Sequence, residues 1–328
     1  MLVIGMLVLL LAVSGIFAGC SNEQPQQETK DQDTQNQDKT ENQQISDEKA
    51  LKLSRVEWPG VTQKSYVLKD IFETLGYDVS LEAYTVPLVL KGLETGDLDA
   101  FAGTWFQTFG EPLQSRLDAG SIKVASVQIE NSTYRPAVPT YVFEAGVKSL
   151  ADLAEHAEKF DYKYYGIEPG NDGNQIMLDA VENDTYGLAD WTVVESSTSA
   201  MLAQVESTIE NEDWIVFSGW KPHWMNVVLD MKYLDDPEGI WGGDERIGTV
   251  VTSSFPEKSP NAFKLLEQFD IDSDIQSAWI LEYGKNGRKP EEVAKEWIPN
   301  NLDLVSEWVQ GVKSFDGRNA EDVLREAY

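Results

Sequence analysis

Short apolar runs alternate with stretches of helical periodicity from residue 51 to the end of the chain. This alternation favours an α/β fold, with a mostly parallel sheet covered by helices. So many units would make one very large sheet, so the pattern predicts two lobes. The predicted strands are 51–58, 79–84, 99–105, 122–128, 137–143, 163–167, 191–194, 214–218 and 247–252. The predicted helices are one opened by Pro59 and Gly60, then 86–95, 149–159, 174–184, 199–210, 258–268, 274–284, 290–310 and 319–327.

The first 17 residues are apolar and are followed by Ala18, Gly19 and Cys20. A short apolar run ending in small residues is typical of a secretory signal, because a membrane span needs about 20 apolar residues. The sequence from Phe17 to Cys20 resembles the bacterial lipobox, with Phe where Leu is usual. The resemblance implies that 1–19 is a signal peptide and that Cys20 becomes the lipidated first residue. The alternative is a cleaved soluble export signal with an incidental Cys.

Residues 21–47 contain eight Gln and a single aliphatic residue, Ile45. Such a segment buries too little apolar surface to offset its ordering entropy. We therefore predict that 20–47 is a disordered tether behind the lipidated Cys20. The folded part is then expected to work outside the bacterial cell membrane, attached through the lipid anchor only.

Composition narrows the classes of function. Acidic residues outnumber basic ones 56 to 26, for a net charge of −30, which argues against nucleic acid or anionic lipid as partners. One Cys excludes an intrachain disulfide, a Cys-rich zinc site and an iron–sulfur cluster. No nucleophile elbow, HExxH or P-loop motif is present in the sequence. We therefore predict no enzyme, no cofactor and no metal site.

Ten tryptophans offer a different chemistry, recognition through aromatic faces. Trp58 and Trp105 end predicted strands, Trp220 lies at the end of another, and Tyr134 lies in the sequence Ser-Thr-Tyr-Arg-Pro. Ligands of open α/β sheets bind at the carboxyl ends of strands. Aromatic boxes hold quaternary ammonium groups, since a fully methylated nitrogen cannot donate a hydrogen bond. For any single ring, packing in the core or between lobes is the alternative.

Three stretches carry a family resemblance: Gly103-Thr104-Trp105, residues 166–174 (GIEPGNDGN) and residues 219–224 (GWKPHW). They resemble the glycine betaine/choline class of ABC-transporter substrate-binding proteins. The resemblance implies a two-lobed type II periplasmic-binding-protein fold with the ligand cleft between the lobes, and crossovers near 141–145 and 244–249. It assigns 48–142 plus 246–328 to lobe 1 and 143–245 to lobe 2.

Within that class, the choline-binding branch is the most similar. Its aromatic box corresponds to Trp58, Trp105, Tyr134 and Trp220, and its polar contact to Asn171. In the glycine betaine branch the second Trp of the GWKPHW-type motif takes part as well. That Trp is Trp224 here, for which a packing role behind the box is expected.

One position departs from the choline branch, which has an Asp two residues after the first Trp where this chain has Gly60. Without that acid, the N–H groups of Gly60, Val61 and Thr62 at a helix N-terminus would suit a carboxylate. This favours a zwitterion such as glycine betaine. The alternative is that Gly60 only permits a turn.

Taken with the resemblance, these residues predict an extracytoplasmic binding protein of an ABC importer. Its ligand would be glycine betaine or choline, and its partners the membrane permease and ATPase subunits. Two alternatives remain open at this point: a sensing module that passes its signal to a membrane receptor, and a lipid-anchored hydrolase.

Overall fold

The computed structural model describes residues 47–328. The predicted signal peptide 1–19, Cys20 and nearly all of the tether 20–47 lie outside the described residues. The strands are β1 (Ala50–Arg55), β2 (Asp78–Ala83), β3 (Ala100–Trp105), β4 (Ile122–Pro139), β5 (Lys163–Tyr165), β6 (Thr192–Val194), β7 (Val216–Lys221), β8 (Met231–Tyr233) and β9 (Glu245–Thr252).

Helices cover both sides of these strands. They are α1 (Pro59–Thr74), α2 (Val86–Thr95), α3 (Gly110–Asp118), α4 (Thr140–Glu144), α5 (Asp172–Glu182), α6 (Thr198–Glu210), α7 (Met225–Val228), α8 (Phe255–Lys258), α9 (Pro260–Gln268), α10 (Ser273–Ile280), α11 (Pro290–Asn300), α12 (Leu302–Trp308) and α13 (Ala320–Ala327). Short 3-10 turns lie at Leu150–Asp152, Ala154–Phe160 and Thr185–Gly187, and a π-helical turn at Leu281–Lys285 extends α10.

The long strand β4 joins two half-sheets. Its residues 122–132 pair with β9, which in turn pairs with β3 beside β1 and β2. Its residues 133–139 pair with β7 and β8, and β7 continues to β5 and β6. The two halves form two lobes, which confirms the predicted two-lobed α/β fold. We call the lobe of β1, β2, β3 and β9 the first lobe and the lobe of β5 to β8 the second.

The sheet is less parallel than the sequence predicted. Among the described strands, the β1–β2, β1–β3, β5–β6 and β5–β7 ladders are parallel. The four ladders that involve β4 or β9 are antiparallel. The prediction of a mostly parallel sheet was wrong because β4 and β9 run between the lobes, whereas helical crossovers produce parallel pairs only within each lobe.

The sequence predicted two strands, 122–128 and 137–143, where the structure has the single strand β4. Polar residues 130–133 and Pro136 interrupt the apolar pattern between the two predicted strands. The strand instead continues through register shifts, with Asn131 in the left-handed region at φ 57°, a conformation that Asn tolerates. Strand pairing passes from one lobe to the other at Ser132 and Thr133. We therefore propose a lobe boundary there, earlier than the expected 141–145, and keep the second near Glu245.

Candidate ligand-binding site

A cavity lies between the two lobes and includes about 440 Å³ free of protein atoms, counting its opening to solvent. Seven of the eight cleft residues singled out from the sequence line it, and Thr62 does not. Its lining is Trp58, Gly60, Val61, Trp105, Thr108, Phe109, Tyr134, Ile167, Asn171, Trp220, Pro222, Gln276 and Ile280.

Strand register brings three of the aromatic rings together. Tyr134 on β4 is directly opposite Trp220 on β7, and their ring centroids are 5.9 Å apart at 84°. Trp105, the last residue of β3, packs against Tyr134 at 5.8 Å and 63°. All three side chains are more than 90% buried, so they form adjoining walls of a closed cleft.

The fourth ring, Trp58, immediately precedes α1 and the helix-opening Pro59. Its indole N–H donates to Glu168 Oε1 of the second lobe at 2.5 Å. The ring also packs edge-on against Phe109, with centroids 6.3 Å apart. Trp58 therefore closes the box from the first lobe while its polar edge is bound to the second.

Asn171 presents a donor to the cavity. As N-cap of α5, its Oδ1 accepts from the backbone N–H of Gly173 at 2.8 Å and of Asn174 at 3.2 Å. The same oxygen accepts the Tyr134 hydroxyl at 2.8 Å. These three bonds fix which end of the amide is oxygen, and its buried Nδ2 has no partner among the described residues.

The rest of the GIEPGNDGN stretch supports this arrangement. A Cβ on Gly173 would lie 2.4 Å from the Tyr134 hydroxyl oxygen, so only glycine allows the ring to approach the first turn of α5. Asn174 ties the loop together, accepting from the N–H of Ile167 at 3.0 Å and donating to its carbonyl at 2.9 Å. The motif therefore positions Asn171 and Tyr134 as one unit.

The start of α1 corrects one expectation. The N–H of Thr62 donates to the Trp58 carbonyl at 2.8 Å, the first hydrogen bond of the helix, so Thr62 offers no free backbone donor. The N–H groups of Gly60 and Val61 have no backbone acceptor within the described part of the chain. Both residues line the cavity.

The sequence analysis missed several lining residues, including Thr108, Gln276 and Ile280. Thr108 is held by Glu245, whose buried carboxylate accepts from the Thr108 N–H at 2.8 Å and hydroxyl at 2.6 Å. Gln276 and Ile280 are on α10, which packs on α1. None of them belongs to a recognisable motif, and only the tertiary contact of α10 with α1 brings that helix to the site.

Comparison with known proteins identifies the family of this chain. Residues 49–300 match the OpuAC family, the substrate binding domain of ABC-type glycine betaine transport systems. This chain belongs to that family.

Individual relatives of this OpuAC chain differ in how much of it they share. The glycine betaine/carnitine transport binding protein GbuC of Listeria monocytogenes is 35% identical over 160 residues, 49% of this chain and 53% of GbuC. The chain thus spans about half the length of that relative. A solved ABC-transporter choline-binding protein in complex with choline is 31% identical, with a TM-score of 0.82 over 85% of this chain and 97% of that one. Lactococcal OpuAC with glycine betaine, closed and liganded, is 29% identical, with a TM-score of 0.71 over 80% and 99%.

Trp224 lies outside the cavity lining of this OpuAC domain and contacts the opposite lobe. The Lys285 ammonium lies 4.4 Å from its ring centroid and forms an ion pair with Glu206 of the second lobe. Its neighbour His223 is buried, and burial lowers the pKa of the imidazole to about 3. At neutral pH His223 is therefore uncharged, and the cation that contacts Trp224 is Lys285.

Two acids lie behind the second-lobe side of the cleft. Burial raises the pKa of Glu168, and burial raises the pKa of Asp172 to about 7, with Glu168 adding to the shift. Within residues 47–328, no cluster of His, Cys, Asp and Glu is suited to a metal ion. The same part of the chain holds no helix long and apolar enough to cross a membrane.

Proposed function

We propose that this chain binds a quaternary ammonium compound with a carboxylate tail, glycine betaine foremost, and delivers it to the permease of an ABC importer. The observation that carries the proposal is a cavity lined by the four rings of the predicted box and by Phe109, with no carboxylate among its thirteen described lining residues. The rings suit a methylated cation. A zwitterion supplies its own negative charge, whereas a simple cation would find no counter-charge in the lining.

The polar groups of the cavity favour an anionic tail. Asn171 Nδ2 and the N–H groups of Gly60 and Val61 are donors without protein partners among the described residues. Backbone N–H groups at a helix N-terminus favour negative charge through the helix dipole. A carboxylate accepts several such bonds, and charge-assisted bonds are worth about 1.5–3 kcal/mol each.

The expected affinity follows from these contacts. Each desolvated cation–π face contributes up to about 2 kcal/mol, so four faces supply roughly 4–8 kcal/mol. Ordering and association costs offset a large part of the total. We expect a dissociation constant of about 1 μM for the preferred ligand, near −8 kcal/mol.

Choline is the second candidate, because the choline-bound structure has a TM-score of 0.82 with this chain and the glycine betaine-bound one 0.71. Calorimetric titration with glycine betaine, choline, carnitine and proline betaine decides between them. We expect glycine betaine to bind most tightly. A tenfold or greater preference for choline would overturn the choice of a carboxylate tail.

Gly60→Asp tests the same point from the protein side. The new carboxylate would face the ligand's own, and two like charges about 4 Å apart cost on the order of 4 kcal/mol at an effective dielectric of about 20. Glycine betaine should therefore bind far more weakly, while choline affinity holds or improves. Gly243→Asp is the control for the added charge alone, since nothing lies within 4 Å of a Cβ there, whereas a Cβ on Gly60 would lie 2.7 Å from Gln276 Nε2. Unchanged glycine betaine binding in Gly60→Asp would mean that Gly60 only permits a turn and does not contact the ligand.

We also propose that Cys20 carries a lipid anchor and that the protein works on the outer face of the bacterial cell membrane with permease and ATPase subunits. Cys20 lies outside the described residues, and the lipobox-like sequence supports this proposal. In bacterial cells, Cys20→Ser should move the protein from the membrane fraction to the soluble fraction. Persistence of the variant in the membrane fraction would contradict the anchor.

A further inference from the structure

Gln276 is a buried polar residue of the cavity that no other contact accounts for. It lies on α10, is 4% exposed and lines the cavity. Its Oε1 has no hydrogen-bond partner among the described residues. A buried amide oxygen without a partner is costly, so an otherwise unexplained one at a ligand cavity indicates a group of the ligand as its partner.

The position of Gln276 is tied to Gly60. A Cβ built on Gly60 would lie 2.7 Å from Gln276 Nε2 and 3.1 Å from Ile280 Cδ1. The Gln276 amide therefore occupies the space beside the start of α1 that a side chain at position 60 would need. It lies next to a backbone N–H that has no helical acceptor. The polar end of the cavity on the first lobe thus consists of a neutral amide and free backbone donors.

Gln276 differs from Asn171 in the freedom of its amide. Three protein donors fix the Asn171 oxygen, so Asn171 can offer only N–H to a ligand. No described hydrogen bond fixes the orientation of the Gln276 amide, so a half-turn exchanges its oxygen and nitrogen. It can donate to a carboxylate or accept from a hydroxyl.

We infer that Gln276 is a specificity-determining residue that contacts the polar end of the ligand and lets one site accept both carboxylate-tailed and hydroxyl-tailed quaternary ammonium compounds. This inference rests on the proposed function. Fixed donors at Asn171, Gly60 and Val61 set the preference for a carboxylate. Gln276 allows hydroxyl-bearing ligands such as choline to bind as well, because its amide oxygen can accept from their hydroxyl.

Gln276→Glu converts the adaptable amide into an anionic acceptor of the same length. We expect glycine betaine to bind roughly 10- to 100-fold more weakly, because two carboxylates then face each other. Choline should bind equally well or more tightly, because its hydroxyl gains an acceptor and its cation a counter-charge. Calorimetric titration of both ligands gives the affinity ratio directly.

Two further variants keep the test decisive. Gln276→Met removes both polar atoms at similar volume, and both ligands should weaken about 3- to 10-fold, the loss of one neutral hydrogen bond. Gln268→Glu is the matched control, since Gln268 is also in the first lobe but its Nε2 donates to the Trp308 carbonyl, outside the cavity. It should leave the affinity ratio unchanged, and thermal unfolding verifies that each variant folds.

The outcomes separate this inference from the proposed function. If the wild type binds neither ligand, the proposed function fails. If the wild type binds but Gln276→Met binds both ligands as the wild type does, Gln276 does not contact the ligand and the inference is wrong. A folded Gln276→Glu variant whose affinity ratio stays within about twofold of the wild-type ratio overturns it equally.

Discussion

The two walls of the cleft differ in what holds their side chains. In the second-lobe wall, Tyr134 and Asn171 are joined by a hydrogen bond, and Asn171 caps α5 of the same lobe. In the first-lobe wall, the indole N–H of Trp58 donates across the cleft to Glu168. The amide oxygen of Gln276, in the same wall, has no hydrogen-bond partner among the described residues.

This difference separates two tasks. Groups held within one lobe keep their geometry whether or not the lobes are together, so the second-lobe wall is preorganised for the ligand. Trp58 is oriented by a bond that exists only while the lobes are in contact. Lys285 also bridges the lobes, lying over Trp224 and pairing with Glu206. We therefore expect the second-lobe wall to set intrinsic affinity and the first-lobe contacts to set the stability of the closed state.

The largest predicted effect is on folding stability, and it concerns Asp172, an acid buried in the second-lobe wall. Its Oδ2 has no hydrogen-bond partner among the described residues. Burial raises its pKa to about 7, so the folded state binds a proton that the unfolded chain releases near pH 4. Wild-type stability should therefore fall as pH rises from about 4 to 7, with the full cost present above that window.

Asp172→Asn should remove this cost, worth roughly 2–4 kcal/mol for a shift of this size. Denaturant unfolding at pH 5 and pH 8 measures it, and the stability gain should appear at pH 8 and shrink toward pH 5. The raised pKa of Glu168 acts in the same direction and remains in the variant. The exposed Asp190→Asn is the control. Equal gains at both pH values would mean that Asp172 is not the titrating group.

Gly173→Ala tests the preorganised wall itself. Its Cβ would lie 2.4 Å from the Tyr134 hydroxyl oxygen, so the ring must leave its place or α5 must shift. Either change breaks the Tyr134–Asn171 bond and spoils an aromatic face, and we expect affinity to fall by roughly 2–3 kcal/mol. Gly243→Ala, where a Cβ meets no atom within 4 Å, is the control. Calorimetric binding equal to wild type would show that Tyr134 needs no close contact with α5.

Trp220→Ala and Trp105→Ala remove one ring from each lobe. Each should weaken glycine betaine by about 1–3 kcal/mol, the loss of a desolvated cation–π face. Trp214→Ala is the control, since that ring packs against Phe160 away from the cavity lining. Wild-type affinity in both cavity variants, measured by titration, would exclude the aromatic box.

How much of this site the sequence could predict also differs between the walls. Trp220 was predicted from its place after a predicted strand, whereas Tyr134 and Asn171 were predicted through the family resemblance, as part of the aromatic box and as its polar contact. Gln276 was not, because it lies on a helix whose pattern indicates only burial, and its role depends on the packing of α10 on α1.

The fold shows the same division. The alternation of strands and helices sufficed for two α/β lobes. The single strand β4 was missed because the polar residues in its middle have a sequence pattern typical of a loop. Asn131, among them, has a left-handed backbone conformation. Thr62 was misassigned for a similar reason. Which N–H groups at a helix start stay free depends on where the first helical hydrogen bond forms, and here it joins Thr62 to Trp58.

The smallest predicted effect concerns the contact that joins the two walls, the bond from Trp58 to Glu168 at 2.5 Å. Glu168→Gln keeps the size of the side chain and an acceptor oxygen but removes the charge. A hydrogen bond to a charged group is worth about 1 kcal/mol more than a neutral one, so affinity should fall about fivefold. If Trp58 is oriented by closure, the loss should appear as faster ligand release with an unchanged association rate. Stopped-flow tryptophan fluorescence separates the two rates.

Glu195→Gln, which removes a carboxylate of the second lobe bound to Asn174 rather than to Trp58, is the control. A slower association rate with unchanged release would instead place Glu168 in the open-state encounter, and Trp58 would then belong with the preorganised wall.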